Sequence, residues 1–312
     1  EDLLHQHQAL AAGEVGHTPT GQREALARRC RGVLAFQLQE NQGLAPEIFG
    51  PIGSGAQVAE QARLLEVART SKHIKALLLD IDSPGGSVGG SELLHSKLER
   101  VAKAKPIVTF IRGLGASGGY LLSCATHRIV TLPSSIVGSI GVIYVRPSLQ
   151  DLLQRIGVSL SIYKGGRLKD MSGFWRSPTS EEEGKFQELI SEVYENFVAV
   201  VSKGRSMDEA KVKELATGEI FTGLRGQNLG LVDDLGGFYQ ALDTAAELGQ
   251  TRSRPMWVRP RRSFTDRLMG RAAASRSNQT GFDQIGVQLQ QLLAGGIYYL
   301  EPSVLLGGYS SD

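Results

Sequence analysis

The chain has 312 residues, enough for one large domain or two modest ones around a real core. Hydrophobic residues make up 41% and charged residues 21%, which excludes a wholly disordered chain; 34 Lys and Arg against 32 Asp and Glu leave a net charge of +2, too even for a dedicated nucleic-acid binder. Two cysteines, Cys30 and Cys124, cannot build a disulfide framework, and no run reaches the ~18 apolar residues of a membrane-spanning helix.

Residues 1–30 are polar and read as an arm. Val33 to Phe36 reads as a short strand. Ala56 to Arg69 is a helix, with Val58, Ala62, Leu65 and Ala68 on one face. Ile74 to Ile81 is an almost continuous apolar run, the pattern of a parallel strand covered on both faces. It stops at the turn signal Asp82-Ser83-Pro84-Gly85-Gly86-Ser87. A helix from about Gly90 to Ala104 comes next, then a second buried strand, Pro106 to Ile111. That strand runs into Gly113-Leu114-Gly115-Ala116-Ser117-Gly118-Gly119-Tyr120. A short helix, Tyr120 to Ala125, leads to a strand at Arg128 to Leu132. This alternation predicts an α/β domain with crossover connections.

Beyond Val137-Gly138-Ser139-Ile140-Gly141-Val142, the segment Ser148 to Ile156 reads as helix and Leu160 to Tyr163 as extended. Lys164 to Met171 is a polar loop. Ser180 to Arg205 is the clearest helix: Ser180 and Glu183 suit a capping box. Phe186, Leu189, Ile190, Val193, Phe197, Val200 and Val201 form an apolar stripe. A helix near Asp208 to Ala216, the segment Gly230-Leu231-Val232-Asp233 and a helix near Phe238 to Leu248 complete residues 31–249. Residues 251–277 then hold eight Arg, no Lys and one acid, Asp266, and Phe282 to Leu306 turns apolar. Residues 250–312 read as an extension.

Two glycine-rich turns each come after a buried strand. The first, Ser83 to Gly86, offers unhindered backbone N–H groups of the kind that stabilise an oxyanion. The second, Gly115 to Gly119, matches G-x-S-x-G and sets Ser117 at a strand-to-helix turn. A nucleophilic serine needs a base. His5, His7, His17, His73, His95 and His127 all read as ordinary solvated histidines, and lysine is the other option. A lysine works only when neutral, several units below its usual ~10.4. Spacing alone does not say which lysine that is.

Five motifs in order settle the resemblance: Leu79 to Ser87, Gly115 to Tyr120, Gly138 to Val142, Gly165-Gly166-Arg167-Leu168-Lys169-Asp170, and Gly230 to Asp233. Together they resemble the signal peptide peptidase A family of Ser-Lys proteases, which have the Clp protease/crotonase-like α/β fold of repeated β-β-α units. The resemblance covers residues 31–249. It implies that Ser117 is the nucleophile, Lys169 rather than Lys164 the general base, and Ser139 the hydroxyl holding the lysine amine. Gly86 and Gly118 are then the oxyanion-hole donors. It implies no cofactor and no metal. His127, where the family has an acid, and Gly226, where it has alanine, depart from the pattern away from this chemistry.

The same resemblance implies a serine endopeptidase acting through an acyl-enzyme on extended apolar peptides, such as remnant signal peptides. Because this chain, like the half-length members of that family, has one Ser motif and one Lys motif, the resemblance also implies a homo-oligomer, an octameric ring whose sites are shared between neighbouring subunits. The Arg-rich stretch reads first as a solvated or subunit-bridging extension, and second as a peripheral contact with an anionic membrane. No nucleic-acid partner is expected. The expected location is cytoplasmic or peripheral to a membrane, with an anchor upstream of Glu1 left open. The alternatives are a crotonase-type acyl-CoA enzyme, a non-enzymatic scaffold and a phage capsid-maturation protease.

Overall fold

The structure is a computed structural model that describes residues 32–39, 52, 55–253, 255–258 and 296–300. In chain order its elements are β1 (Gly32–Gln39), α1 (Gly55–Thr70), β2 (Ile74–Ser83), β3 (Gly85–Ser87), α2 (Val88–Ala102), β4 (Ile107–Ala116), α3 (Gly118–Ser123), β5 (Arg128–Thr131), β6 (Ile136–Gly138) and β7 (Ile143–Val145). Next come α4 (Gln150–Arg155), α5 (Ser180–Arg205), α6 (Glu209–Leu215), β8 (Ile220–Thr222), α7 (Gly223–Asn228), β9 (Asp234–Leu235), α8 (Phe238–Leu248), β10 (Pro255–Val258) and β11 (Gly296–Leu300).

The main sheet runs β10-β1-β2-β4-β5-β9, all parallel, with β6 parallel to β4 and β8 antiparallel to β6. The apolar run of β2 stems from its place at the centre. Side chains alternate along a strand, so Leu77, Leu79 and Ile81 join the core under α1, α2, α3 and α5. Ala76 and Leu78 face the other way and pack with Val108, Phe110 and Val130 against Ala241, Leu242, Ala245 and Ala246 of α8. Both faces are therefore covered, as the mixed α/β class expected from the sequence requires. A small second sheet, β3-β11-β7, is antiparallel.

Four local readings change. β4 does not stop at Ile111 but continues through Gly113 and Gly115 to Ala116, because β2 and β6 pair with it there. The capping box of α5 is one residue earlier, with Thr179 as N-cap and Glu182 reaching back. The apolar stripe of α5 is covered only toward its C-terminal end. Phe197, Val198 and Val201 are buried, whereas Leu189 is exposed and Phe186 stacks on Tyr144. The segment Leu160 to Tyr163, expected to be extended, joins no strand among the described residues, and Val158, Leu160, Ile162 and Tyr163 lie exposed.

The C-terminal end of α5 is clamped to the core. Arg205 makes a two-point ion pair with Asp233 at 2.9 and 3.0 Å, and Asp233 also accepts the Ile129 N–H at 2.7 Å. Beside it, Tyr120 donates its hydroxyl to the Leu231 carbonyl at 2.8 Å. Cys124 is buried against this clamp, and burial pushes its thiol up to about 12.

Candidate active site

Ser117 stands where β4 ends and α3 begins. Its backbone takes φ 51° and ψ −116°, a positive-φ conformation that costs a non-glycine residue about 1–3 kcal/mol. Strong pairing on both sides holds it there. The Ser117 N–H donates to the Gly138 carbonyl at 2.8 Å, and its carbonyl accepts the Leu121 N–H at 2.9 Å. The side chain is buried, and among the described residues no hydrogen bond reaches its Oγ. A buried, unsatisfied hydroxyl on a strained turn is costly for stability and useful for reaction.

The turn after β2 lies against this elbow. β2 and β4 stay in register to Ser83 opposite Gly115. A Cβ placed on Gly118 would fall 3.2 Å from the Gly86 amide nitrogen and 2.5 Å from Ser91 Oγ. One placed on Gly86 would fall 2.3 Å from the Ile52 nitrogen. Both positions therefore exclude any side chain, and the two amides expected to form an oxyanion hole are neighbours, though 32 residues separate them in sequence.

Ser139 comes directly after Gly138, which pairs with Ala116 across the parallel strands β6 and β4. It too is buried at positive φ, 50°, and its N–H donates to the Glu219 carbonyl at 2.8 Å. The two serines thus end adjacent strands.

Lys169 lies in the loop between α4 and α5. It is exposed, and its side chain makes no hydrogen bond or ion pair among the described residues. Its neighbours are tied down. Asp170 pairs with Lys164 and, at 3.2 Å, with Arg176. Arg176 also forks onto Glu182 at 2.5 and 2.8 Å. Arg176 first and Lys164 second hold the Asp170 carboxyl well below the usual range. The Glu182 carboxyl is held down to about 2, chiefly by Arg176 and then by the Thr179 N–H. Within a single chain no hydrogen bond joins Lys169 to Ser117 or Ser139 among the described residues. No described histidine bonds to Ser117 either; His127 instead accepts the Ile107 N–H on Nδ1 at 3.1 Å.

Two features escaped the sequence reading. Ser91, fully buried with an unpartnered Oγ beside Gly118, could have been noticed from its helical spacing to Leu94 and Leu98. Asp80, at the sheet centre, pairs with Arg112 at 2.5 Å, and its burial pushes the carboxyl up despite that partner. Among the described residues no group of His, Cys, Asp and Glu could hold a metal ion, and no helix is long and apolar enough to cross a membrane.

Residues 99–252 match peptidase family S49. The protein slr0021 of Synechocystis sp., which carries a provisional protease name, is 39% identical over 202 residues, 65% of this chain and 72% of that protein. A protein of Enterococcus faecium, provisionally named signal peptide peptidase SppA, is 38% identical over 181 residues, 58% of this chain and 53% of that one. The chloroplastic serine protease SPPA of Arabidopsis thaliana is 31% identical over 209 residues, 66% of this chain but only 31% of its own length. Among solved structures, a membrane-bound stomatin-specific protease superposes over 74% of this chain and 99% of its own, with TM-score 0.47 and 14% identity.

Proposed function

Since the chain belongs to peptidase family S49 and is a protease of the SppA kind, we propose that it cleaves peptide bonds with Ser117 as nucleophile and Lys169 as general base. The observation that carries this is the Ser117 hydroxyl: buried, unpartnered and held on a strained elbow beside the Gly86 and Gly118 amides.

In the reaction, Lys169 as the free amine takes the Ser117 proton while Oγ attacks the scissile carbonyl. The tetrahedral oxyanion sits on the Gly86 and Gly118 N–H groups. Lysinium then protonates the leaving amine, and the ester forms on Oγ. Water, deprotonated by the same amine, hydrolyses the ester and restores both groups. Ser139 accepts a hydrogen bond from the amine and aims it.

Within one chain no hydrogen bond joins the amine to the hydroxyl among the described residues, so we assign them to neighbouring chains of a homo-oligomeric ring, taken as an octamer. The exposed apolar residues Val158, Leu160 and Ile162, just before Lys169, and the uncovered N-terminal half of the α5 stripe support a second copy on this side. Such a contact would also desolvate the amine, which a proton acceptor at neutral pH requires. Extended apolar peptides, remnant signal peptides among them, are the proposed substrates, and the Arg-rich residues 251–277 suit a position peripheral to an anionic membrane.

The test mixes two inactive chains. Ser117→Ala and Lys169→Ala should each lower the cleavage of an apolar reporter peptide at least about 1,000-fold. Mixed oligomers of the two should recover a measurable fraction of the wild-type rate. Full activity of Ser117→Ala would overturn the serine assignment; zero recovery in verified mixed oligomers would overturn the shared site.

A further inference from the structure

Between Ile111 and Gly115 the pairing of β4 breaks on both sides at once. On one side, Ile81 stands opposite Ile111 but Ser83 stands opposite Gly115, so β4 advances four residues while β2 advances two. On the other side, β5 is the partner up to Ile111 and β6 from Leu114 onward. A bulge of this kind re-aims the chain that follows it. Before the break, opposed residues of β2 and β4 differ by 30 in number; after it they differ by 32. Gly86 and Gly118 also differ by 32. Without the bulge, Gly113 would stand opposite Ser83, and Ser117 and Gly118 would lie two strand residues, about 6.6 Å, past the turn that holds Gly86.

Side chains take over where the main-chain ladder is interrupted. Asp82 Oδ1 accepts the Leu114 N–H at 3.0 Å. Ser135, buried between β5 and β6, donates its hydroxyl to the Arg112 carbonyl at 2.7 Å. Asp80 Oδ2 pairs with the Arg112 guanidinium at 2.5 Å. A Cβ placed on Gly113 would fall 3.1 Å from Asp82 Oδ1, so the middle of the bulge lies against that carboxylate. These contacts fix Arg112 and Leu114, and Ser117 is three residues past Leu114.

We infer that Asp82, with Asp80 and Ser135 beside it, is a positioning residue for catalysis: it holds the β4 bulge and so keeps Ser117 and the Gly118 N–H level with the Gly86 N–H. The inference rests on the proposed protease function and adds residues to its machinery. Period two puts Asp80 and Asp82 on the β2 face of Ala76 and Leu78, opposite the face of Leu79 and Ile81. Asp82 therefore acts from behind the sheet, through the backbone from Leu114 to Ser117, and not on the substrate. An oxyanion donor or nucleophile moved by a fraction of an ångström stabilises the transition state less, while the affinity for unreacted peptide changes little.

The experiment measures kcat and KM for an apolar reporter peptide in the full chain and four variants. Asp82→Ala, which takes the acceptor from the Leu114 N–H, should lower kcat on the order of tenfold with KM within about twofold. Asp82→Asn keeps an acceptor oxygen and should return kcat to within about threefold of wild type. Gly113→Ala presses its methyl group on the carboxylate and should lower kcat about fivefold, yet not further in a chain that already carries Asp82→Ala. Thermal melting monitors folding, and if Asp82→Ala melts below the assay temperature, the kcat and KM of Gly113→Ala decide. A kcat for Asp82→Ala within about twofold of wild type, no recovery in Asp82→Asn, or effects of the two substitutions that simply multiply would each overturn the inference. A second readout does not need catalysis. Hydrogen exchange over residues 112–117 should speed up in Asp82→Ala and not in Asp82→Asn; equal exchange in all forms would overturn the inference. The expected exchange pattern with no cleavage by any form would keep the bulge support and sink the protease reading.

Discussion

Ser117 and Lys169 sit in surroundings that differ in almost every physical respect. Ser117 is 1% exposed, at the end of a central strand, in a backbone conformation fixed by pairing from both sides and by glycines that meet backbone atoms. Lys169 is exposed on a loop, and its order comes from a chain of charges, Lys164–Asp170–Arg176–Glu182, that ends at the first turn of α5. The first environment is built from packing and main-chain hydrogen bonds, which salt and pH barely touch. The second is built from ion pairs near water, which are weak singly and respond to both. The proposed nucleophile has the rigid environment that close placement needs, and the proposed base has the reaching one that a site shared between chains would need.

Substitutions that spare one environment sharpen this contrast. After the two dyad substitutions, the next largest effect should come from Gly86→Ala. Its methyl group would overlap the Ile52 backbone, so we expect stability to drop by about 3 kcal/mol and cleavage to fall roughly 100-fold as an oxyanion donor shifts. Thermal melts and peptide assays read both, and unchanged values would mean that the turn after β2 yields more easily than its packing implies. Next comes Leu160→Asp with Ile162→Asp. Both side chains are exposed in the single chain, so its stability should stay within about 0.5 kcal/mol, whereas assembly should fail and activity per chain fall at least about tenfold. Light scattering that finds an intact oligomer would move the contact elsewhere.

The smallest effect belongs to Glu182→Gln, about 1 kcal/mol near neutrality. The Glu182 carboxylate is depressed to about 2 from an unfolded value near 4.3. Its stabilisation is therefore present above pH ~4.3 and lost as pH falls toward 2. The urea midpoints of wild type and variant should differ at pH 6 and converge at low pH; a gap that persisted would show that the carboxylate's charge is not what matters.

The parts legible from sequence were those set by local rules. The run Ile74 to Ile81 announced a strand covered on both faces because period two puts every side chain into one core or the other. α5 and α8 appeared at their observed positions from helical spacing. The G-x-S-x-G turn drew attention to Ser117. What stayed hidden was tertiary. Gly113 and Gly115 read as turn residues, yet β4 runs through them because neighbouring strands pair with it. Thr179 and Ser180 are equally good caps on composition, and only the position of Arg176 favours a carboxylate at Glu182 over Glu183. Lys169 was separated from Lys164 by resemblance alone. The contact between Gly86 and Gly118 joins two turns that no window of sequence spans.

The clamp around Arg205 bears on how such an enzyme would be classified at the bench. Cys124 lies beneath it with its thiol pushed up to about 12, so almost none of it is thiolate at neutral pH, and alkylating or oxidising agents find little to attack. Iodoacetamide or mild peroxide should leave this cysteine unmodified for as long as the fold holds, and mercurial sensitivity would be no guide to the catalytic type. Labelling of Cys124 thereby becomes a clock for unfolding: its rate measures how often the end of α5 lifts from the body of the protein.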